Sequence, residues 1–122
     1  MRRILVVDDE YLIANILGYA LEDEGYVVET ASNGQKALDI LKDKQVDLVI
    51  TDYMMPLLNG EELAKNIRDQ LRLSLPLILM SGAQAHEGRD NPDLFVAVFD
   101  KPFDITQMIA KVKELVGAPE SS

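Results

Sequence analysis

Six polar residues of this sequence lie at or just beyond the ends of short apolar runs, and their types are those of a reactive site. An acidic triplet follows the first run, an aspartate the third, a serine the fourth and a lysine the fifth: Asp8, Asp9, Glu10, Asp52, Ser81 and Lys101. Any one of them could simply cap a turn, because Asp and Ser are common where a chain turns. Turn capping does not explain why acids, a hydroxyl and an ammonium all recur at the same kind of position.

Carboxylates brought together in this way would need a cation, because they raise each other's pKa unless a positive charge joins them. A few oxygen ligands beside an open face suit Mg²⁺ better than Zn²⁺ or a complete Ca²⁺ cage. A lysine and a hydroxyl opposite the metal can hold the oxygens of a transferring phosphoryl group. Because an aspartate can itself be the nucleophile, the residues predict Mg²⁺-assisted phosphoryl transfer onto a carboxylate, with Asp52 favoured.

The elements that must position these residues are five apolar runs, which alternate with amphipathic helical patterns. The runs, interpreted as strands, are Arg3–Val7, Tyr26–Thr30, Val46–Ile50, Pro76–Met80 and Val96–Phe99. Strands that alternate with helices predict a parallel sheet covered on both faces. Right-handed crossovers bring the carboxyl ends of such strands to one edge, where ligands bind in open α/β sheets.

The composition is that of an ordinary globular domain, with 48% apolar and 27% charged residues in 122. No apolar run approaches the roughly 20 residues of a membrane span, and the absence of cysteine excludes disulfides and thiolate metal sites. We expect a cytoplasmic protein. Because 21 acidic residues against 12 basic ones give a net charge of −9, we expect no direct nucleic-acid binding.

Four motifs give the chain a resemblance to the receiver domains of bacterial two-component response regulators, over essentially Arg3 to Val116. They are Ile4-Leu5-Val6-Val7-Asp8-Asp9-Glu10, Asp47-Leu48-Val49-Ile50-Thr51-Asp52-Tyr53-Met54-Met55-Pro56 with Asn59-Gly60, Met80-Ser81-Gly82, and Lys101-Pro102-Phe103. The resemblance implies a flavodoxin-like, doubly wound α/β fold, with a five-stranded parallel sheet of order 2-1-3-4-5 and helices on both faces. We expect one receiver domain over residues 1–117 and a tail over 118–122.

The resemblance also implies a role for each site residue. Asp52 would be the phosphoacceptor, and Asp9 a direct Mg²⁺ ligand together with Asp52 and the backbone carbonyl of Met54. Asp8 would hold a metal-bound water, while Ser81 and Lys101 would contact the phosphoryl group. The Lys101–Pro102 bond would be cis. The phosphodonor would be a histidine kinase or a histidine phosphotransfer protein, and phosphorylation would switch a surface for a downstream protein that the sequence does not identify.

Two departures from the family pattern fall on its usual output surface. Val98 stands where the family usually has Tyr or Phe, three residues before the lysine, and Phe99 should face the other side of the sheet. The segment that should form the fourth helix, Ala83–Leu94, contains Gly88 and Pro92, which both disfavour a helix interior. We expect that helix to be shortened or replaced by a mobile loop around His86–Asp93, and the other four helices to be regular.

Two other functions are compatible with the same sheet. One is a receiver-like interaction module that works without phosphorylation, for which the altered Val98 region is the only support. The other is a Mg²⁺-dependent phosphohydrolase. That class commonly has an acid/base Asp two residues after the nucleophile, where Met54 stands in this sequence.

Overall fold

The computed structural model describes residues 2–55, 58–71, 73–82 and 94–117, and in them the predicted sheet is confirmed. Its strands are β1 (Arg3–Val7), β2 (Val27–Ala31), β3 (Leu48–Asp52), β4 (Leu77–Ser81) and β5 (Ala97–Asp100). All neighbouring pairs are parallel, in the order β2-β1-β3-β4-β5. The two edge strands are therefore β2 and β5.

The described residues also form four helices: α1 (Tyr11–Asp23), α2 (Gly34–Asp43), α3 (Gly60–Asp69) and α4 (Ile105–Val116). These correspond to the four helices predicted to be regular. The degraded helix expected across Ala83–Leu94 lies outside the described residues except for Leu94, as does the expected tail over residues 118–122. In the described part of the chain, no helix has both the length and the apolarity needed to cross a bilayer.

The helices cover both faces of the sheet, because successive strand residues point to opposite sides. On one face the strands pack against α2 and α3, through a buried cluster of Leu5, Val7, Val49, Leu77, Leu79, Ala37, Leu38, Leu41, Leu63, Ala64 and Ile67. On the other they pack against α1 and α4, through Ile4, Val6, Leu48, Ile50, Ile78, Met80, Ala14, Leu17, Leu21, Met108 and Val112. Val98 packs on the first face and Phe99 on the second, as predicted.

Strand β1 has the predicted bounds, whereas the other four strands end one or two residues later than the apolar runs, and this shift changes where the reactive residues lie. Asp52 and Ser81 are the last residues of β3 and β4, not the first residues of loops. The apolar pattern ends before them because the pattern reports side-chain burial, whereas a strand is defined by its backbone hydrogen bonds. The ladder continues even beyond β3, since the Tyr53 N–H donates to the Met80 carbonyl at 2.9 Å.

The turn from β3 into α3 is fixed by a capped helix start. The Asn59 side chain accepts from the Glu62 N–H at 2.8 Å, and the Glu62 side chain accepts from the Asn59 N–H at 3.0 Å. These reciprocal bonds satisfy backbone donors that the first helical turn would leave unpaired. The Gly60 N–H then donates to the Tyr53 carbonyl at 2.8 Å. The helix start is thereby held directly against the end of β3.

This close approach predicts that Gly60 tolerates no side chain. A Cβ at this position would lie 2.6 Å from the Asp52 carbonyl oxygen and 3.1 Å from the Tyr53 Cα. Because backbone atoms cannot rotate away, we expect Gly60→Ala to lower the free energy of unfolding by about 1–3 kcal/mol. Urea denaturation measures this change.

Gly18→Ala is the matched control. Gly18 lies inside α1, and a Cβ there would meet the Val28 Cγ1 at an ordinary 3.5 Å. The better helix propensity of Ala should raise stability by up to about 1 kcal/mol. A Gly60→Ala variant as stable as wild type would show that the β3–α3 turn can relax.

Candidate active site

The carboxyl end of β1 supplies two carboxylates, which lie side by side with the end of β3. The Asp8 side chain is buried, and one of its oxygens accepts from the Glu10 N–H at 2.9 Å. The Asp8 N–H itself donates to the Ala31 carbonyl of β2 at 3.1 Å. Glu10 begins α1 as its N-cap residue. The sheet and the start of α1 therefore both fix the position of Asp8.

Lys101 lies after β5 and joins the carboxylates of three different residues. Its Nζ is 3.0 Å from an oxygen of Asp8, 3.1 Å from an oxygen of Asp52 and 3.5 Å from an oxygen of Glu10. The Lys101 N–H donates to the Ser81 carbonyl at 2.7 Å, which extends the pairing of β4 and β5 to the site. The Lys101–Pro102 bond is cis, as predicted. The ammonium is the one positive charge that the described structure places among these acids.

Ser81 completes the group with a buried hydroxyl at the end of β4. The residue is fully buried, and its Oγ has no hydrogen-bond partner among the described residues. It follows Met80, which is the register partner of Asp52. An unpaired buried hydroxyl costs free energy, so this one is suited to a polar ligand that arrives later.

Burial and crowded charge shift the pKa values of the site. Burial and then the charge of Asp8 raise the pKa of Asp52 to about 6, although Lys101 opposes both. Burial also raises the pKa of Asp8. Burial works against the charged form of Lys101, but the bonds and charges of Asp8 and Asp52 outweigh it and raise its pKa. The site therefore holds more negative charge than one ammonium can neutralise.

Of the six residues predicted to form the reactive group, the structure brings five together: Asp8, Glu10, Asp52, Ser81 and Lys101. Asp9 is exposed, although its charge is near enough to raise the pKa of Asp52. The side chain of Met54 is largely exposed, and the part assigned to its carbonyl stays a prediction. Sequence reasoning gave Glu10 no role of its own. Its place directly before the first helical residue was the available signal.

The acidic group has the chemistry of a cation site. Asp8, Glu10 and Asp52 can each present one oxygen within 4.8 Å of the others. Hard carboxylate oxygens with excess negative charge are the donors that divalent cations such as Mg²⁺ prefer. The buried Ser81 hydroxyl and the Lys101 ammonium add donors for an anion beside them. The residues therefore fit a metal ion and a phosphoryl group together.

Comparison with known proteins agrees with this geometry. A family model for the response regulator receiver domain matches residues 4–113. The chain is a response regulator receiver domain. Receiver domains are the phosphoaccepting parts of two-component systems, and the acidic pocket around Asp8 and Asp52 fits that function.

Two curated relatives share this receiver domain. The chain is 37% identical over 122 residues to the alkaline phosphatase synthesis transcriptional regulatory protein PhoP of Bacillus subtilis. This alignment covers 98% of the chain and 50% of PhoP. It is 34% identical over 119 residues to the phosphate regulon transcriptional regulatory protein PhoB of Pseudomonas aeruginosa, with 94% and 52% covered. The receiver domain thus spans about half the length of these relatives.

Solved structures show the same fold. The receiver domain of the Francisella response regulator 1452 superposes with a TM-score of 0.87 at 29% identity, over 95% of this chain and 97% of that one. The response regulator TrrA of Thermotoga maritima, solved in complex with Mg(2+)-BeF, gives a TM-score of 0.84 at 38% identity, over 94% and 99%.

The raised pKa of Asp52 predicts that this residue destabilises the receiver domain at neutral pH. The ordinary pKa of this carboxyl is 3.8. Between pH 3.8 and about pH 6, the folded state therefore binds more protons at Asp52 than the unfolded state does. The contribution of Asp52 to stability is therefore complete below pH 4 and is lost as the pH rises through 6. We expect Asp52→Asn to raise the free energy of unfolding by about 1–3 kcal/mol at pH 7.5 without Mg²⁺, and by much less at pH 4.

Urea denaturation across this pH range measures the difference. Glu22→Gln makes the same change of charge at an exposed position of α1 and should leave the pH dependence as in wild type. If Asp52→Asn raised the free energy of unfolding equally at pH 7.5 and pH 4, ionisation of Asp52 could not be what destabilises the fold.

Proposed function

We propose that Asp52 accepts a phosphoryl group from a phosphohistidine, in a Mg²⁺-dependent reaction. In this step the N–P bond of the donor breaks, an O–P bond forms to a carboxylate oxygen of Asp52, and the imidazole leaves with the electron pair. The observation that carries the proposal is the Lys101 ammonium at 3.0 and 3.1 Å from Asp8 and Asp52. Few structural roles require a partly buried lysine shared by two buried acids.

The Lys101 ammonium and the Ser81 hydroxyl are suited to the product of this reaction. Phosphorylation moves the negative charge of Asp52 outward onto phosphoryl oxygens, and Lys101 can exchange its bond to the carboxylate for a charge-assisted bond to one of them. The buried Ser81 hydroxyl, which has no hydrogen-bond partner in the described part of the chain, would gain one. Both bonds would draw the ends of β4 and β5 toward Asp52, and this movement is how phosphorylation would alter the surface nearby.

Asp8, Asp9, Asp52 and the Met54 carbonyl would hold the Mg²⁺. The grouping of carboxylate oxygens supports the parts of Asp8 and Asp52, and the effect of the Asp9 charge on the pKa of Asp52 supports that of Asp9. The Mg(2+)-BeF complex of TrrA also supports a Mg²⁺ site. Bound Mg²⁺ would offset the charges of the carboxylates and of the incoming phosphoryl oxygens. Asp8, through its bond from the Glu10 N–H, would be held ready to bind a water of the ion.

The domain would accept one phosphoryl group per site and not act as a turnover enzyme. It would catalyse its own phosphorylation and dephosphorylation at Asp52. Met54, two residues after Asp52, offers no acid or base to hydrolyse the acyl phosphate efficiently. The setting we propose is the cytoplasm, where ATP is available to phosphorylate the donor.

A histidine kinase or a histidine phosphotransfer protein would reach the site over α1. An apolar groove beside the site is lined by Ile13, Ile16, Pro102, Phe103 and Ile105, and ends at Glu10 and Lys101. Leu12 and Ile16 of α1 remain 64% and 58% exposed. Such apolar residues favour a helical partner that lays its own apolar face against them.

The output would be a switched protein surface, with a downstream protein that the chain does not identify. For this domain we propose no direct nucleic-acid contact, because its net charge of −9 repels phosphates. The relatives PhoP and PhoB are named as transcriptional regulators, but the chain corresponds to only half of each.

The phosphoacceptor is tested by labelling. Acetyl phosphate with Mg²⁺ should add one phosphoryl group to the wild type, and Asp52→Ala should abolish it because the nucleophile is lost. Intact-protein mass spectrometry at neutral pH measures the addition. Asp69→Ala, at the exposed end of α3, should be labelled normally. Labelling that persists in Asp52→Ala would assign the nucleophile elsewhere.

The docking surface on α1, formed by Leu12, Ile16 and the neighbouring groove, is tested by comparing a protein phosphodonor with a small-molecule one. Leu12→Ser should slow transfer from a phosphorylated histidine phosphotransfer protein by about tenfold, which corresponds to a loss of about 1.4 kcal/mol of binding free energy, because it replaces an exposed apolar side chain of the docking surface by a polar one. Transfer from acetyl phosphate should not change. Val96→Ser, at another exposed apolar residue, is the control and should leave both rates unaltered. Equal slowing with both donors would indicate damage to the site.

A further inference from the structure

Glu10 lies at the start of a helix, but its side chain does not cap that helix. It is the N-cap residue of α1, a place where Ser, Thr, Asp or Asn normally bonds to a free N–H of the first turn. The Glu10 side chain makes no such bond. Its backbone is nevertheless fixed, because its N–H donates to Asp8 at 2.9 Å and its carbonyl accepts from the N–H groups of Ile13 and Ala14.

The Glu10 carboxylate instead lies at the mouth of the site. It is 3.5 Å from the Lys101 Nζ, a longer contact than the 3.0 and 3.1 Å to Asp8 and Asp52. The Asp8 side chain is fully buried, whereas that of Glu10 is 63% exposed. Glu10 is thus the outermost of three acids around one ammonium, and its contact with that ammonium is the weakest.

The order of these three contacts matters because Lys101 occupies the carboxylate oxygens that a divalent cation would bind. An ammonium shared by Asp8 and Asp52 competes with any other cation for both carboxylates. Lys101 must give up part of these contacts when such a cation binds, and a charged ammonium without a partner in a half-buried site is costly. Glu10 already touches Lys101 on the solvent side, so it can take over the ammonium that the inner acids release.

We propose that Glu10 is a positioning residue that receives the Lys101 ammonium when Asp8 and Asp52 bind Mg²⁺. This role rests on the proposed function and adds a regulator of its metal affinity. Glu10 contributes least while Lys101 lies between the inner acids, and most once one of them is withdrawn. Its net effect is therefore to favour the Mg²⁺-bound state through Lys101.

Two variants separate contact from charge. Glu10→Gln removes the charge, whereas Glu10→Asp keeps it but is one methylene shorter and cannot maintain a contact that is already 3.5 Å long. Aspartate is also a preferred N-cap residue, so its carboxylate should turn to the first turn of α1. We expect Glu10→Asp to raise the melting temperature and yet to bind Mg²⁺ more weakly.

The experiment is a Mg²⁺ titration followed by the amide NMR shifts of Asp52 and Ser81. Both Glu10 variants should weaken Mg²⁺ binding by about three- to tenfold, less than the roughly 10- to 100-fold lost with a direct hydrogen-bond partner of a metal ligand, because Glu10 acts on the ligands only through Lys101. The same pair of variants is then measured in a Lys101→Met background, as a double-mutant cycle. There the effect of Glu10 should fall below about twofold, because an exposed charge alone is screened by solvent.

The outcomes distinguish this role from the function on which it rests. Glu10→Asp with the Mg²⁺ affinity of wild type would show that charge alone matters, and would overturn the role of contact. An equal loss in the Lys101→Met background would overturn the part played by Lys101. A wild type that binds no Mg²⁺ would overturn the proposed function and this role together.

Discussion

The arrangement on which this site depends is a single ammonium shared by buried carboxylates. The Lys101 Nζ lies within 3.1 Å of both Asp8 and Asp52, and without it two negative charges would face each other where little water reaches them. One positive charge does not balance the group, and the pKa of Asp52 rises to about 6. Lys101 therefore offsets enough of the repulsion for the chain to fold with these acids buried, but the remaining negative charge still attracts a further cation. This imbalance makes it receptive to a metal ion and to chemistry at Asp52.

The fold maintains this imbalance through the register of the sheet. Asp52 lies opposite Met80, and Ser81 lies opposite Asp100, so the ends of β3, β4 and β5 form a stepped row. The central strands β3 and β4 are wholly buried and anchor the acid and the hydroxyl. The packing of the two apolar faces of the sheet thus stabilises the fold and offsets the repulsion between the like charges that the sheet holds together. Asp52 itself lowers the stability of the fold at neutral pH, as its raised pKa indicates.

Helix α1 serves both the core and the surface. Ala14, Leu17 and Leu21 bury one side of it against the sheet, while Leu12 and Ile16 remain exposed. A helix that is apolar on most of its circumference usually lies inside a protein or against a partner. Because α1 begins at Glu10, beside the site, any partner on its exposed side would be brought directly to Asp52.

The sequence by itself determined the fold class, the strand order and the placement of Asp8, Asp52, Ser81 and Lys101 at one edge of the sheet. Apolar runs and helical periodicity report which side chains are buried, and the motifs that contain Asp8, Asp52, Ser81 and Lys101 are together specific enough to the family to imply the sheet order. These features are local in the chain, so they can be read without coordinates. The placement of Val98 and Phe99 on opposite faces was also foreseeable, because strand residues alternate.

Only the tertiary structure decided where the strands end and which acids meet. Asp52 and Ser81 proved to be strand residues, because backbone pairing with neighbouring strands continues after the apolar pattern stops. That Glu10, and not Asp9, shares Lys101 with Asp8 depends on the direction in which the chain leaves β1 to begin α1. Contacts of this kind join residues about 90 positions apart, and neither composition nor periodicity carries that information.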